Sequence, residues 1–340
     1  MCKFYINFFI CFLIFFVTEC FLTGEMYLCE TSIIVMMKFK YITTAYLAHK
    51  EMAVKATSLN NYRQILRNHL LPEFGEKKEI SEDDVQRFIV RKLSEGCSVS
   101  YVRGLCKVLA AVVKFAARRH GWRYSEWELH YKNVPHKDTH AVMALSVDHE
   151  RRLLEYLRSH VNRKNVGIIL TLHSGLRIGE LCALRWQDID MELSLIHVRH
   201  NLQRVGSYGS RSTVVLQQPK TDTSVRTIPL SVETKIFLGL IISDNSAENF
   251  LLSGTPKPIE GRVMRDYFKR LLRRAGLPQD IRFHSLRHSF ATRCVEAECD
   301  IKTLSVMLGH SQASITMDIY VHPTIEAQRK MLNKVTSYLG

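Results

Sequence analysis

A histidine and an arginine three residues apart form the first candidate site. They lie in the segment FHSLR, residues 283–287, where apolar residues recur at helical spacing. Residues three apart share one face of a helix, so His284 and Arg287 are expected to present their donors side by side. Arginine binds a phosphate through two parallel hydrogen bonds, and the pair therefore suits a phosphate. A solvated polar face is the simpler interpretation of this segment when it is taken alone.

Two further cations stand at predicted turns earlier in the chain. In SGLRIGEL, residues 174–181, Gly175 is predicted to end one helix and Arg177 to begin the next. The first backbone N–H groups of a helix favour an anion there. Lys220 is predicted on the turn of a β-hairpin between strands 213–218 and 225–230. From such a turn a lysine can reach a substrate oxygen, or it can simply be solvated.

The last candidates lie close to the end of the chain. Gly309, in the sequence Leu308-Gly309-His310, is predicted to end a helix, which places His310 in a turn. Tyr320 ends the segment SQASITMDIY, residues 311–320. Taken singly, such a tyrosine is most often a packed aromatic residue, and such a histidine is most often structural.

Together these motifs resemble those of the tyrosine recombinase (phage integrase) family over roughly residues 38–325. The matching positions, in chain order, are Arg177, Lys220, His284, Arg287, His310 and Tyr320. Each motif is weak by itself, but six residue types in the right order, with fitting local patterns, are specific. The resemblance departs at residues 1–37, which do not look like the separate arm-binding domain that many members carry.

The resemblance implies that Tyr320 attacks a DNA phosphate and forms a 3′-phosphotyrosyl link, which leaves a free 5′-hydroxyl group. The covalent intermediate conserves the bond energy, so that rejoining needs no nucleotide. His284 is expected to assist proton transfer from the phenol, and Lys220 to protonate the leaving 5′-oxygen.

The same resemblance assigns Arg177 and Arg287 to the non-bridging oxygens of the phosphate, where they would stabilise the charge of the transition state. His310 would add a hydrogen bond to that phosphate. No metal ion or cofactor is expected, because the arginines supply the positive charge and the His and Cys positions lack zinc-ligand spacing.

The hydrophobic pattern predicts a mainly α-helical protein with a small antiparallel β-sheet. The resemblance gives this pattern a helical core-binding DNA domain at 38–122, a linker at 123–140 and a mixed α+β catalytic domain at 141–340. Helices are predicted at 40–53, 57–71, 82–94, 99–119, 147–159, 261–275, 284–298, 301–308, 312–320 and 325–338.

The charge balance is strongly basic, with a formal net charge of +14 and a pI of about 9.4. A folded protein this basic usually has a polyanionic partner, although an anionic membrane or an ordinary solvated surface is compatible with the same balance. The nine cysteines have no CxxC spacing. Cys106, Cys182 and Cys294 fall inside apolar helical patterns, which favours a reducing compartment over a disulfide framework.

The N-terminal run FYINFFICFLIFFV, residues 4–17, is almost wholly apolar. A secretory signal, a membrane anchor and translated sequence upstream of the true start all fit it. The third interpretation is preferred, because Met36 and Met37 directly precede the first regular helical pattern and no cleavage site follows the run. A cytoplasmic location is therefore expected, with a membrane anchor as the alternative.

The family resemblance implies double-stranded DNA as partner and a homo-tetramer on it, with a monomer as the free form. Ile325, Leu332, Val335 and Leu339 fall near one face of the last predicted helix, which would dock on a neighbouring subunit or pack on its own domain. Accessory excision proteins or host DNA-bending proteins are further expected partners. The competing functions are a type IB topoisomerase and a non-catalytic DNA-binding protein.

Overall fold

A computed structural model of the chain divides into two compact units. The first comprises the chain up to 139 together with 206–211, and the second comprises 140–205 and 212–340. We refer to them as the helical unit and the mixed unit. The described residues are 27–29, 32–34, 37–131, 144–207, 210–217, 225–242, 247–310, 312–320, 329, 332–333 and 335–337.

The helical unit confirms the helices predicted between residues 40 and 119. Its elements are β1 (Tyr27–Cys29), β2 (Ser32–Ile34), α1 (Phe39–Glu51), α2 (Ala56–Ile65), a π-helical turn (Leu66–Leu70), α3 (Leu71–Phe74), α4 (Glu82–Ser94) and α5 (Val99–His120). Ser81 and Asp84 form the capping box that starts α4, and Ser98 caps α5. The fully buried side chains of Phe39, Phe88 and Leu105 lie in its core.

The second predicted helix does not stop at Pro72. The π-helical turn before it widens the backbone, and α3 then continues to Phe74. Proline removes one backbone hydrogen bond and crowds the preceding turn, and a π-turn relieves both constraints. Phe74 is fully buried as a result.

Residues 121–131, in and before the predicted linker, form neither helix nor strand, yet they pack on the helical unit. Trp122 donates its indole N–H to the Met37 carbonyl at 3.1 Å. Gln86 forms two hydrogen bonds with the backbone of His130, at 2.8 and 3.0 Å. Residues 132–143 lie outside the described residues, so the domain limits at 122 and 140 stay predictions.

The mixed unit combines helices with short strands. Its elements, apart from the ends of β5 and β6 within 206–211, are α6 (Val147–Ser159), α7 (Arg163–Ser174), α8 (Ile178–Ala183), a 3₁₀ turn (Trp186–Asp188), β3 (Ile189–Asp190), β4 (Leu195–Val198), β5 (Asn201–Ser207), β6 (Ser210–Gln217), β7 (Arg226–Pro229), α9 (Val232–Ile241), α10 (Gly261–Arg274), α11 (Phe283–Glu296), α12 (Ile301–Leu308) and α13 (Ala313–Tyr320). The predicted helices between 147 and 320 are confirmed. Within the predicted helix 325–338, the described residues are helical, and Leu332 and Val335 among them are exposed.

The predicted hairpin between 213–218 and 225–230 is wrong. The strands pair in the orders β3-β4-β7 and β5-β6, so the 210–217 strand pairs with 201–207 instead. Strand 226–229 pairs antiparallel with β4, where the fully buried Ile196 lies opposite Ile228. The strand predicted over 195–202 covers β4 but only the first two residues of β5. The rest of β5 was not predicted, because NLQRVGS lacks the alternation of apolar and polar residues that marks a half-buried strand.

Helix α9 was not predicted either. Its apolar residues occur on all sides, and Val232, Ile236 and Leu240 are exposed, so no helical period stands out. Two of the predicted apolar cysteines, Cys106 and Cys182, are buried, and Cys294 is half-buried. None of the helices in the described part of the chain has the length and apolar character needed to cross a membrane. The run at 4–17 lies outside that part.

Candidate active site

Three consecutive backbone carbonyls at the C-terminal end of α12 each accept a hydrogen bond from a different arginine. The carbonyls of residues 307–309 bind, in order, Arg226 at 2.6 Å, Arg287 at 2.8 Å and Arg177 at 3.2 Å. The last carbonyls of a helix have no intrahelical donors, and the helix dipole favours cations there. The end of α12 therefore gathers positive charge from α8, α11 and β7 at one point.

Arg287 lies on α11 and is 2% exposed. Its Nη1 donates to the Gly175 carbonyl at 2.7 Å, and its Nη2 contacts Nε2 of His310 at 2.9 Å. Burial and the charge of Arg177 lower the pKa of Arg287 to about 9, which leaves it charged at neutral pH. Its protein acceptors hold the guanidinium group in one orientation.

The turn between α7 and α8 requires glycine at position 175. Its φ is +66°, and a Cβ atom there would lie 2.7 Å from side-chain atoms of both Leu308 and Phe290. A larger residue would be strained in its backbone and would push against the helices that carry the site.

Arg177 precedes α8, and its orientation is set by Glu180. The backbone N–H of Arg177 donates to Oε2 of Glu180, and its Nη1 donates to Oε1, both at 2.9 Å. Burial alone would raise the pKa of Glu180, but hydrogen bonds and charge from Arg226 and Arg177 outweigh it and lower that pKa. The Arg177 side chain remains 37% exposed, so it can reach a ligand.

His310 is held as a neutral acceptor. A guanidinium group can only donate, so Nε2 of His310 accepts from Arg287, and the ring proton is on Nδ1. Nδ1 lies 2.8 Å from Oγ1 of the fully buried Thr316. Burial and the charge of Arg287 lower the pKa of His310 to about 4, which agrees with a neutral ring at pH 7.

Tyr320 ends α13 and is half-buried, with its ring centroid 5.4 Å from that of His288. Burial raises the pKa of Tyr320, while the charges of Arg287 and Arg177 act in the opposite direction. The phenol therefore carries its proton at neutral pH.

His284 lies at the start of α11, with its ring 4.9 Å from that of His288. The residue is exposed, yet partial desolvation of its ring and the neighbouring His288, Arg287 and Arg177 lower the pKa of His284 to about 4. His284 is therefore neutral at pH 7 and able to accept a proton. The rings of His284, His288 and Tyr320 follow one another across this side of the site.

The structure thus joins Arg177, Arg287 and His310 by hydrogen bonds around the end of α12. The charges of both arginines also act to lower the pKa of Tyr320. Lys220 lies outside the described residues. Within the described ranges, no group of three or more His, Cys, Asp or Glu side chains could hold a metal ion.

Sequence reasoning missed the residues that support this site. Glu180 stands inside the quoted motif SGLRIGEL, three residues after Arg177, the spacing at which a helix brings two side chains together. Arg226 lies two residues before the buried Ile228, on the same face of β7, so a charge on the buried face of a strand was the available signal. Nothing in the sequence pattern distinguished Thr316.

Comparisons with known proteins match both units. The model of the Phage integrase family matches residues 144–326, more than half of the chain, and that of the phage integrase N-terminal SAM-like domain matches 38–93. A tyrosine recombinase XerC-like protein of Caldanaerobacter subterraneus subsp. tengcongensis is 27% identical over 287 residues, or 77% of this chain and 72% of the relative. The transposase from transposon Tn916 of Enterococcus faecalis is 26% identical over 279 residues, or 75% and 67%.

Among solved structures, the Tn1549 transposon integrase in complex with a circular intermediate DNA superposes with a TM-score of 0.75 at 24% identity. The match covers 88% of this chain and 99% of that one, and it shows that the two share a fold. With the family model spanning the unit that holds the three arginines, His310 and Tyr320, the chain belongs to the phage integrase family and is a site-specific recombinase of the tyrosine class.

Proposed function

We propose that the chain cuts and rejoins double-stranded DNA at specific sites, with Tyr320 as nucleophile. Oη of Tyr320 attacks the scissile phosphorus and forms a new bond to it, while the bond between phosphorus and the 5′-oxygen breaks. The products are a 3′-phosphotyrosyl link and a free 5′-hydroxyl group. Attack by a 5′-hydroxyl group from another strand reverses the step and releases Tyr320.

The scissile phosphate would lie between Arg177 and Arg287. Both guanidinium groups are charged donors fixed before the substrate arrives, which is the arrangement that stabilises developing charge most effectively. His310 lies against Arg287 and would form a further hydrogen bond to the same phosphate. In the free protein its Nε2 is an acceptor, so this bond requires a proton on Nε2 when the phosphate enters.

Proton transfer would use two further groups. The pKa of Tyr320 is raised by burial, so the phenol needs a base, and the neutral His284 is assigned to that role. Lys220 is assigned as the acid that protonates the leaving 5′-oxygen. No metal ion is assigned to the reaction.

The helical unit is proposed to hold the DNA. Lys50 on α1 and Lys114, Arg118 and Arg119 on α5 surround a cavity of about 320 Å³. This concentration of positive charge suits the phosphate backbone of a duplex, and contacts of this kind position a protein without reading sequence. The core-binding domain is proposed to span 38–122, the linker 123–140 and the catalytic domain 141–340.

The likeness to the Tn916 transposase supports a role as the integrase of a mobile element or phage. Recombination of two duplexes requires four cuts, and a tetramer on DNA is proposed for that reason. Accessory excision or DNA-bending proteins are proposed as partners, and the cytoplasm as the location.

The observation that carries this proposal is that Arg177 and Arg287 meet at the end of α12, the helix against which Tyr320 packs. Trapping the covalent intermediate tests it. DNA from the flanks of the encoding gene is incubated with the protein, quenched with detergent and separated on a denaturing gel. Wild-type protein is expected to give a covalent DNA adduct on the Tyr320 peptide, identified by mass spectrometry. Tyr320→Phe is expected to bind DNA without forming the adduct.

Tyr156→Phe is the matched control, because Tyr156 lies on α6 with its ring stacked on His160. It is expected to form the adduct as the wild type does. An adduct formed by Tyr320→Phe would remove Tyr320 from the nucleophile role. Relaxation of a supercoiled plasmid that lacks the mapped site would point to a topoisomerase instead.

A further inference from the structure

Arg226 is one of two buried arginines among the three that gather at the end of α12. Its side chain is 3% exposed and lies on β7, on the same face of the strand as the fully buried Ile228. A charged group this deep must be fully paired to be tolerated, so its partners indicate what it holds in place.

Its partners Glu180 and Met307 belong to the candidate active site. Nη1 and Nη2 of Arg226 donate to the two carboxylate oxygens of Glu180 at 3.0 and 2.8 Å. Nε donates to the Met307 carbonyl at 2.6 Å. Glu180 in turn receives the backbone and side-chain donors of Arg177. Arg226 thus connects β7 to α8 and to the turn that precedes His310.

We propose that Arg226 is a positioning residue for DNA cleavage: through Glu180 it orients Arg177, and through the Met307 carbonyl it holds the turn that carries His310. This inference rests on the proposed function, in which Arg177 and His310 contact the scissile phosphate. Nε, Nη1 and Nη2 of Arg226 all donate to Met307 and Glu180, so Arg226 would act through these neighbours.

The geometry explains why arginine is needed at this position. A lysine keeps the charge but offers a single ammonium group, which cannot bind both carboxylate oxygens and the carbonyl in the same fixed plane. Glu180 would then be free to tilt, and Arg177 would follow it. A misplacement of about 1 Å in a catalytic group can slow a reaction by about 100-fold.

The first test compares Arg226→Lys with Arg293→Lys. Arg293 is a matched control, because it also joins a carboxylate, that of Glu150 at 3.0 Å, to a carbonyl, that of Leu145 at 2.7 Å. DNA affinity, thermal unfolding and the single-turnover cleavage rate are measured on a duplex that carries the site mapped with the wild type. Arg226→Lys is expected to bind DNA within a few-fold of the wild type and to cleave about 100-fold more slowly, whereas Arg293→Lys cleaves at nearly the wild-type rate.

A second substrate separates positioning from general destabilisation. A methylphosphonate at the scissile position removes one charged oxygen, so that cleavage depends less on a well-placed Arg177. The defect of Arg226→Lys is expected to shrink to less than about tenfold on this DNA. A merely structural defect would slow both substrates by the same factor.

The inference would be overturned if Arg226→Lys slowed cleavage of the phosphate and methylphosphonate substrates by the same factor. It would also be overturned if Arg226→Lys cleaved as fast as Arg293→Lys. If Arg226→Lys does not fold, the double variant Arg226→Met with Glu180→Met replaces the buried pair by apolar groups of similar size, which proteins often tolerate. It is expected to show the same substrate-dependent defect, and wild-type cleavage by it would also overturn the inference. Failure of the proposed function is distinguishable, because the wild type would then form no Tyr320 adduct.

Discussion

Replacing Gly175 by alanine should destabilise the mixed unit and disturb its site together. The φ of +66° places an alanine in the left-handed region, which costs about 1–2 kcal/mol. The added methyl group would also lie 2.7 Å from Leu308 and Phe290, and overpacking of this kind costs about 1–3 kcal/mol. The free energy of unfolding is therefore expected to fall by about 2–5 kcal/mol.

Substitutions at two other glycines of the mixed unit separate the cost of backbone strain from the cost of overpacking. Gly276 has a φ of +64°, but its nearest neighbour would be the flexible end of Arg152 at 3.3 Å, so Gly276→Ala is expected to cost only the backbone strain, about 1–2 kcal/mol. Gly239 lies within α9 with nothing within 4 Å of an added Cβ, so Gly239→Ala is expected to stabilise by up to about 1 kcal/mol.

The assay is denaturant unfolding of the three full-length variants beside the wild type, followed by far-ultraviolet circular dichroism. Cleavage is then measured for the folded proteins. Because the Gly175 carbonyl accepts from Arg287, Gly175→Ala is expected to cleave more slowly than Gly276→Ala. If Gly175→Ala costs no more stability than Gly276→Ala, the close contact with Leu308 and Phe290 is not the constraint described above.

Three further expectations concern proton transfer, pH and packing. Lys220→Ala should slow cleavage, and a 5′-sulfur leaving group, which needs no proton, should restore the rate; no restoration would remove the acid role. Because the pKa of His310 is lowered from 6.5 to about 4, the unfolded chain binds a proton in that window that the folded protein does not, so the free energy of unfolding falls as the pH drops through it. His310→Gln should flatten this pH dependence relative to the wild type in denaturant titrations, and an unchanged slope would contradict the assignment. Leu105→Ala, at a fully buried position of α5, should cost about 2–5 kcal/mol in the same assay, whereas Val90→Ala at a 51% exposed position should cost far less; equal losses would argue against the core as described.

The local elements of this fold were predictable because their signals are local. Ser81, Ser98 and Ser146 each stand one residue before a helix, and each accepts a backbone hydrogen bond as a cap should. The pairing of strands was not predictable, because it depends on long-range contacts. The strand at 226–229 pairs with residues 195–198, some thirty positions earlier, across a sequence that itself contains two further strands.

The same difference between local signals and long-range contacts applies to the candidate site. Residue types and spacing predicted Arg177, Arg287, His310 and Tyr320, and the structure brings these four together. The contact of Arg226 with Glu180 could not be read from spacing, since it spans 46 positions and joins a strand to a helix. Charged residues on the buried face of an element are the signal that would have found it.

The carbonyls at the end of α12 lie 132, 81 and 21 positions along the chain from the arginines that they bind. During synthesis, all three arginines leave the ribosome before residues 307–309 do, and their guanidinium groups have no such acceptors until the last tenth of the chain is being made. An incomplete chain that stops before α12 therefore lacks both the tyrosine and the scaffold for the cations. Copies of the chain that end before α12 are therefore expected to form no covalent DNA adduct in the trapping assay.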